Sequence, residues 1–200
     1  MARKLPFRSM SPEVMPGAEA WSVTGGPVGA LVLHGLGGTP ATVRPVGDAL
    51  ARAGLSVAVP RLPGHGTVID DLVPTRFADW SVAAGHALEE LAALCTEVVV
   101  VGQSMGATLA CGLVARHPEV TGLVAVNPLV RPVDAELVAL VGLMLASGDV
   151  VADGDGPDLA DPRATELSYR GTPLALCCRS TRRSSTSRST WRASPAPCCS

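Results

Sequence analysis

Four consecutive valines, Val98, Val99, Val100 and Val101, run straight into Gly102-Gln103-Ser104-Met105-Gly106. β-Branched residues favour extended backbone, and a run this apolar reads as a strand buried on both faces. Residues 107–116 then read as a helix. A glycine on either side of the serine lets strand and helix nearly touch. The sharp, strained turn between them would lift the serine hydroxyl clear of a sheet. Few architectures accept such a junction.

The rest of the chain repeats the alternation. Residues 18–33 read as two short strands around Gly25-Gly26-Pro27, the second leading into His34-Gly35-Leu36-Gly37-Gly38-Thr39-Pro40. Helical spacing follows at Val43, Val46, Leu50 and Ala53, with Gly54 as a stop signal. Residues 55–59 form a strand, 61–67 a loop by composition, 79–94 a helix, and 120–126 a strand. Strand and helix in strict succession predict a parallel sheet covered on both faces. Ligands bind at the carboxyl ends of such strands. His34, Arg61, Ser104 and Asn127 all stand at or just past strand ends, so one rim is expected to gather them. From residue 128 the pattern changes. Residues 134–146 read as a helix apolar on nearly all sides, which must be covered or must itself cover something. Residues 149–161, rich in Asp, Gly and Pro, read as loop.

A serine at such a turn points to acyl chemistry. Its hydroxyl needs a base to activate it and donors for the oxyanion that forms. The expected donors are the backbone N–H groups of Met105, just after the serine, and of Leu36, in the glycine-rich loop. No cofactor and no metal is called for.

Taken together, residues 34–40, 60–67, 75–80, 102–106 and Val126-Asn127-Pro128 resemble the α/β-hydrolase superfamily, in particular its small bacterial carboxylesterases and monoacylglycerol-lipase-like enzymes. The resemblance covers residues 18–176. It implies an α/β-hydrolase fold, a mostly parallel sheet with helices on both faces and a small helical cap. It also implies an esterase acting on small acyl esters, with Ser104 as nucleophile and Leu36 and Met105 as oxyanion-hole amides. The corresponding organisation is a core at 1–128, a cap at 129–170 over the acyl pocket, and an aberrant, disordered tail at 171–200. Other readings on the same fold are an acyltransferase, a serine peptidase, or a non-catalytic acyl-binding or damaged gene product.

The family's order is Ser, then Asp or Glu, then His. After Ser104 the 200 residues hold one histidine, His117. It lies about 20 Å along the same helix at 1.5 Å per residue, out of reach of the serine proton. His34 belongs to the oxyanion loop, His86 to a helix face, and His65 to a neighbouring rim loop from which it could approach the pocket. The later acids (Asp134, Glu136, Asp149, Asp153, Asp155, Asp158, Asp161 and Glu166) fall in the cap segment and read as solvated surface groups. The final strands that would carry acid and histidine are missing, so these 200 residues are expected to be nearly inactive.

The tail suggests a reason. Residues 171–200 carry five arginines and no acid, with four of the six cysteines. Codons can be chosen for residues 177–200 that spell LLPVDEAVLDVAVDLARITCPVLL one frame over, a helix-like stretch followed by a buried-strand pattern. A frameshift is the expectation. The paired cysteines lack the spacing of a zinc site, and no nucleic-acid partner is expected despite the Arg-Ser dipeptides. No apolar run approaches the ~20 residues of a membrane span. No apolar h-region follows Met1-Ala2-Arg3-Lys4, so the expected location is cytoplasmic.

Overall fold

The computed structural model describes residues 13–131, 133–153 and 165–176. Its elements follow the order β1 (Trp21–Val23), β2 (Val28–Leu33), α1 (Pro40–Arg52), β3 (Ser56–Val59), α2 (Ile69–Leu72), α3 (Phe77–Ala92), β4 (Glu97–Gln103), α4 (Met105–Val114), β5 (Val120–Val126), α5 (Ala135–Ser147), β6 (Val151–Asp153) and β7 (Gly171–Pro173).

The main sheet runs β1-β3-β2-β4-β5. β2, β3, β4 and β5 are parallel, and β1 is antiparallel at one edge. Side chains alternate across β2, as the two-residue period of a strand requires. Ala30 and Val32 face a cluster with Val43 of α1, Val57, Val59 and Val101. Leu31 and Leu33 face the larger cluster, with Trp80, Ala84, Leu88 and Leu91 of α3 and Leu109 and Leu113 of α4. Helices therefore cover both faces, α1 on one and α3 with α4 on the other. Gly54 adopts φ +92° just past α1, a conformation glycine enters without strain, and the chain turns into β3.

Three features depart from the sequence expectation. The short helix α2 lies in a stretch with no helical period. β6 falls inside the segment read as loop, and pairs antiparallel with β7. Residues 171–176, assigned to the aberrant tail, pack with the fold: Leu174 and Leu176 are buried, and Leu176 joins the larger core cluster. The suspected frame change from residue 177 onward lies outside the described residues. Helix α5 starts where its sequence says it should, with the Asp134 carboxylate accepting the Glu136 N–H at 2.8 Å as an N-cap. Among its residues only Val141 is buried. No described helix is long and apolar enough to cross a membrane.

Candidate active site

Ser104 sits between β4 and α4 at φ +53°, ψ −118°. This region is costly for any residue with a Cβ, and persists only where its surroundings impose it. Those surroundings are visible. The Ser104 N–H donates to the Val126 carbonyl at 2.8 Å, tying the turn to the end of β5. A Cβ on Gly102 would lie 2.6 Å from the Ala107 nitrogen, and one on Gly106 would lie 2.7 Å from the Leu33 carbonyl carbon. Strand, turn and helix thus meet at backbone contact, where only glycine fits. Ser104 itself is half-buried.

The loop after β2 lies against this turn. A Cβ on Gly35 would stand 3.5 Å from the Ser104 Cβ and 4.0 Å from its Oγ. The Gly35 carbonyl is engaged within its own loop. It accepts from His34 Nδ1 at 2.9 Å and from the Gly38 N–H at 3.3 Å. Because the peptide is planar and trans, the Leu36 N–H points opposite to that carbonyl. It has no hydrogen-bond partner among the described residues. Met105 opens α4, where the first N–H groups have no acceptor one turn back and carry the positive end of the helix dipole. The Ser104 turn, the loop residue Gly35 and the start of α4 therefore lie in one neighbourhood.

His34 is fully buried. Its Nε2 accepts the Leu62 N–H at 3.2 Å, which leaves the proton on Nδ1 for Gly35 and fixes the neutral tautomer. The ring therefore links the loop after β2 to the loop after β3. His65 is also fully buried. It packs edge-on against His34, with ring centroids 4.9 Å apart, and against Trp80 at 5.6 Å. Its Nδ1 donates to the Pro63 carbonyl at 3.0 Å, and Trp80 Nε1 donates to the same oxygen at 3.0 Å. Burial pushes both histidines down, His34 to about 3 and His65 to about 4. His65 Nε2 has no partner among the described residues. The ring is packed beneath the loops and makes no hydrogen bond to Ser104.

The remaining histidines are elsewhere. His86 is exposed on α3. His117 lies beyond the far end of α4, paired with Glu119 at 2.8 Å. Downstream, Thr108 Oγ1 accepts the Leu129 N–H at 2.9 Å, anchoring the start of the 129–170 segment to α4. A segment with no motif of its own, residues 167–169, reaches the same loops, and sequence reasoning passed over it.

The family model described as the alpha/beta hydrolase fold matches residues 31–197. The chain belongs to the α/β-hydrolase fold family. It is 38% identical over 164 residues to a thermostable monoacylglycerol lipase of Bacillus sp. (strain H-257), a match covering 81% of this chain and 64% of the lipase. The chain thus spans less than two thirds of that relative's length. A solved structure from work on LipS and LipT, two metagenome-derived lipolytic enzymes, superposes with a TM-score of 0.77 at 32% identity, covering 84% of this chain and 68% of that one. The monoacylglycerol lipase of Paleococcus ferrophilus matches with a TM-score of 0.56 at 19% identity, over 80% of this chain and 68% of that one. This last likeness speaks to the fold alone.

Proposed function

We propose that this chain carries the nucleophile half of a serine carboxylester hydrolase of carboxylesterase or monoacylglycerol-lipase type. The observation that carries the reading is the strained backbone of Ser104 beside the Gly35–Leu36 peptide. Ser104 Oγ attacks the ester carbonyl and forms an acyl-enzyme with loss of the alcohol. The N–H groups of Leu36 and Met105 hold the oxyanion, and residues 129–170 form a small cap over the acyl group. The lipolytic names of the Bacillus and metagenomic relatives support the substrate class.

The attack needs a base, and among the described residues none of the four histidines bonds to Ser104. His117 lies beyond the far end of α4, while His34 and His65 are fully buried and their ring hydrogen bonds go to Gly35, Leu62 and Pro63. The 200-residue chain is therefore expected to hydrolyse esters several orders of magnitude more slowly than a complete triad would. Turnover of p-nitrophenyl butyrate measures this. Fast turnover abolished by Ser104→Ala would show that a base is present after all. Resequencing the DNA around codons 171–178 tests the frame. Where a shifted frame opens onto Asp and His codons, the restored chain should hydrolyse the ester and lose that activity on Ser104→Ala. A restored chain with no esterase activity overturns the reading.

A further inference from the structure

Tyr169 is the single tyrosine of the chain. Its ring packs half-buried against the larger core cluster. The hydroxyl accepts the Thr67 N–H at 2.9 Å and donates to the Gly64 carbonyl at 3.0 Å. Its backbone N–H donates to the Gly37 carbonyl at 2.8 Å. Two residues earlier, the Leu167 carbonyl accepts the hydroxyl of the fully buried Thr39 at 2.9 Å. These contacts join two loops distant in sequence. Gly37 and Thr39 follow Leu36 in the loop after β2. Gly64 and Thr67 belong to the loop after β3.

The loop after β2 needs an external hold. Gly35, Gly37 and Gly38 give its backbone wide freedom, which costs entropy to fix. Gly37 adopts φ +73°, and the space where its Cβ would stand is open to 4 Å. Side-chain packing therefore does not fix Gly37. The hydrogen bond from Tyr169 does, one residue away from the Leu36 N–H.

We propose that residues 167–169 form a strap across the glycine-rich loop, with Tyr169 as a positioning residue that aims the Leu36 N–H at the Ser104 site through the Gly37 carbonyl. The inference rests on the reading of Leu36 as an oxyanion donor. Tyr169 acts through the loop and not on the reacting atoms. An oxyanion donor contributes only if it is already in place.

Two substitutions test the strap. Tyr169→Phe keeps the ring and the backbone bond to Gly37, and deletes both hydroxyl bonds that seat the strap on the loop after β3. Thr39→Val keeps the shape and deletes the bond to Leu167. Amide hydrogen exchange and the affinity for butylboronic acid, a tetrahedral-adduct probe for the serine, are measured on the full chain, on each variant and on the pair. In the double variant, exchange at Gly38 and Tyr169, whose N–H groups donate to the Gly35 and Gly37 carbonyls, should rise about tenfold or more while β2 and β4 amides stay unchanged. Boronate affinity should fall about five- to tenfold. Unchanged loop exchange, or acceleration spread equally over β2 and β4, overturns the proposal. So does faster loop exchange with full boronate affinity. Where the double variant does not fold, Tyr169→Phe alone carries both measurements. A parent that binds no boronate, or binds it equally after Ser104→Ala, fails the nucleophile reading instead. The exchange data then decide the strap by themselves.

Discussion

β2 and β5 are both apolar strands of the same parallel sheet, yet they have different fates. β2 is flanked by β3 and β4 and sandwiched between α1 and the α3–α4 pair, so Ala30, Leu31, Val32 and Leu33 are essentially inaccessible. β5 pairs with β4 alone among the described residues, and leaves Val124 and Val126 each 53% exposed. An apolar run states that a strand must be covered on both faces. It does not state where the cover comes from. For β2 the cover lies within the described residues. For β5 it does not, and the chain spans only 64% of its Bacillus relative.

The sharpest way to test the contrast is at the buried junction. Gly106→Ala would drive a methyl group into the backbone of β2, and overpacking against main chain should cost at least about 3 kcal/mol. Thermal unfolding should show it, or the variant should fail to accumulate as folded protein. Leu31→Ala, at a fully buried site in the centre of the sheet, should cost about 3–4 kcal/mol in denaturant unfolding. If either variant is as stable as the parent, the centre of the sheet is not packed as described.

Acid probes the layer beneath the loops. His34 and His65 are held neutral when folded but protonate near 6.5 when unfolded. Above that value neither state binds the extra proton, and stability is unaffected. As pH falls from 6.5 towards 4, the unfolded chain takes up protons that the folded chain excludes. Stability should then drop by up to about 1.4 kcal/mol per pH unit for each ring, until the folded-state values are reached. Unfolding curves between pH 7 and 4 check the slope, which His65→Gln should reduce.

The smallest effect belongs to the edge. Val124→Lys should change stability by no more than about 0.5 kcal/mol, because the side chain is already half in water. It should also reduce self-association, since charge on an open strand edge discourages pairing between molecules. Light scattering at rising concentration distinguishes the two strands: the lysine should help at β5, whereas a charge at Leu31 should abolish folding.

The sheet was legible because its strands are valine-rich and its turns are marked by glycine. Gly54, the 34–40 loop and Gly102 to Gly106 all act where their spacing suggests. The neighbourhood of Ser104 and the Gly35–Leu36 peptide was also legible, since a strand–Gly-x-Ser-x-Gly–helix junction has few geometries. What escaped were tertiary bonds with no local signature. His34 reads as part of a loop, but its ring bridges to Leu62 across 28 residues. Tyr169 reaches Thr67 across 102 residues. The β6–β7 pair was hidden because β6 lies among Asp and Gly residues that resemble a turn. α5 was correctly placed, but its exposure of Leu137, Leu140 and Leu143 depends on which elements pack against it.

The bond from the Ser104 amide to the Val126 carbonyl has a practical meaning. It extends the ladder of the outermost described strand by one rung into the bend. Fraying at that margin would therefore loosen the bend before it disturbed the interior. The exchange rate of this one proton would act as a gauge, reporting how firmly the margin is closed without any need for catalysis.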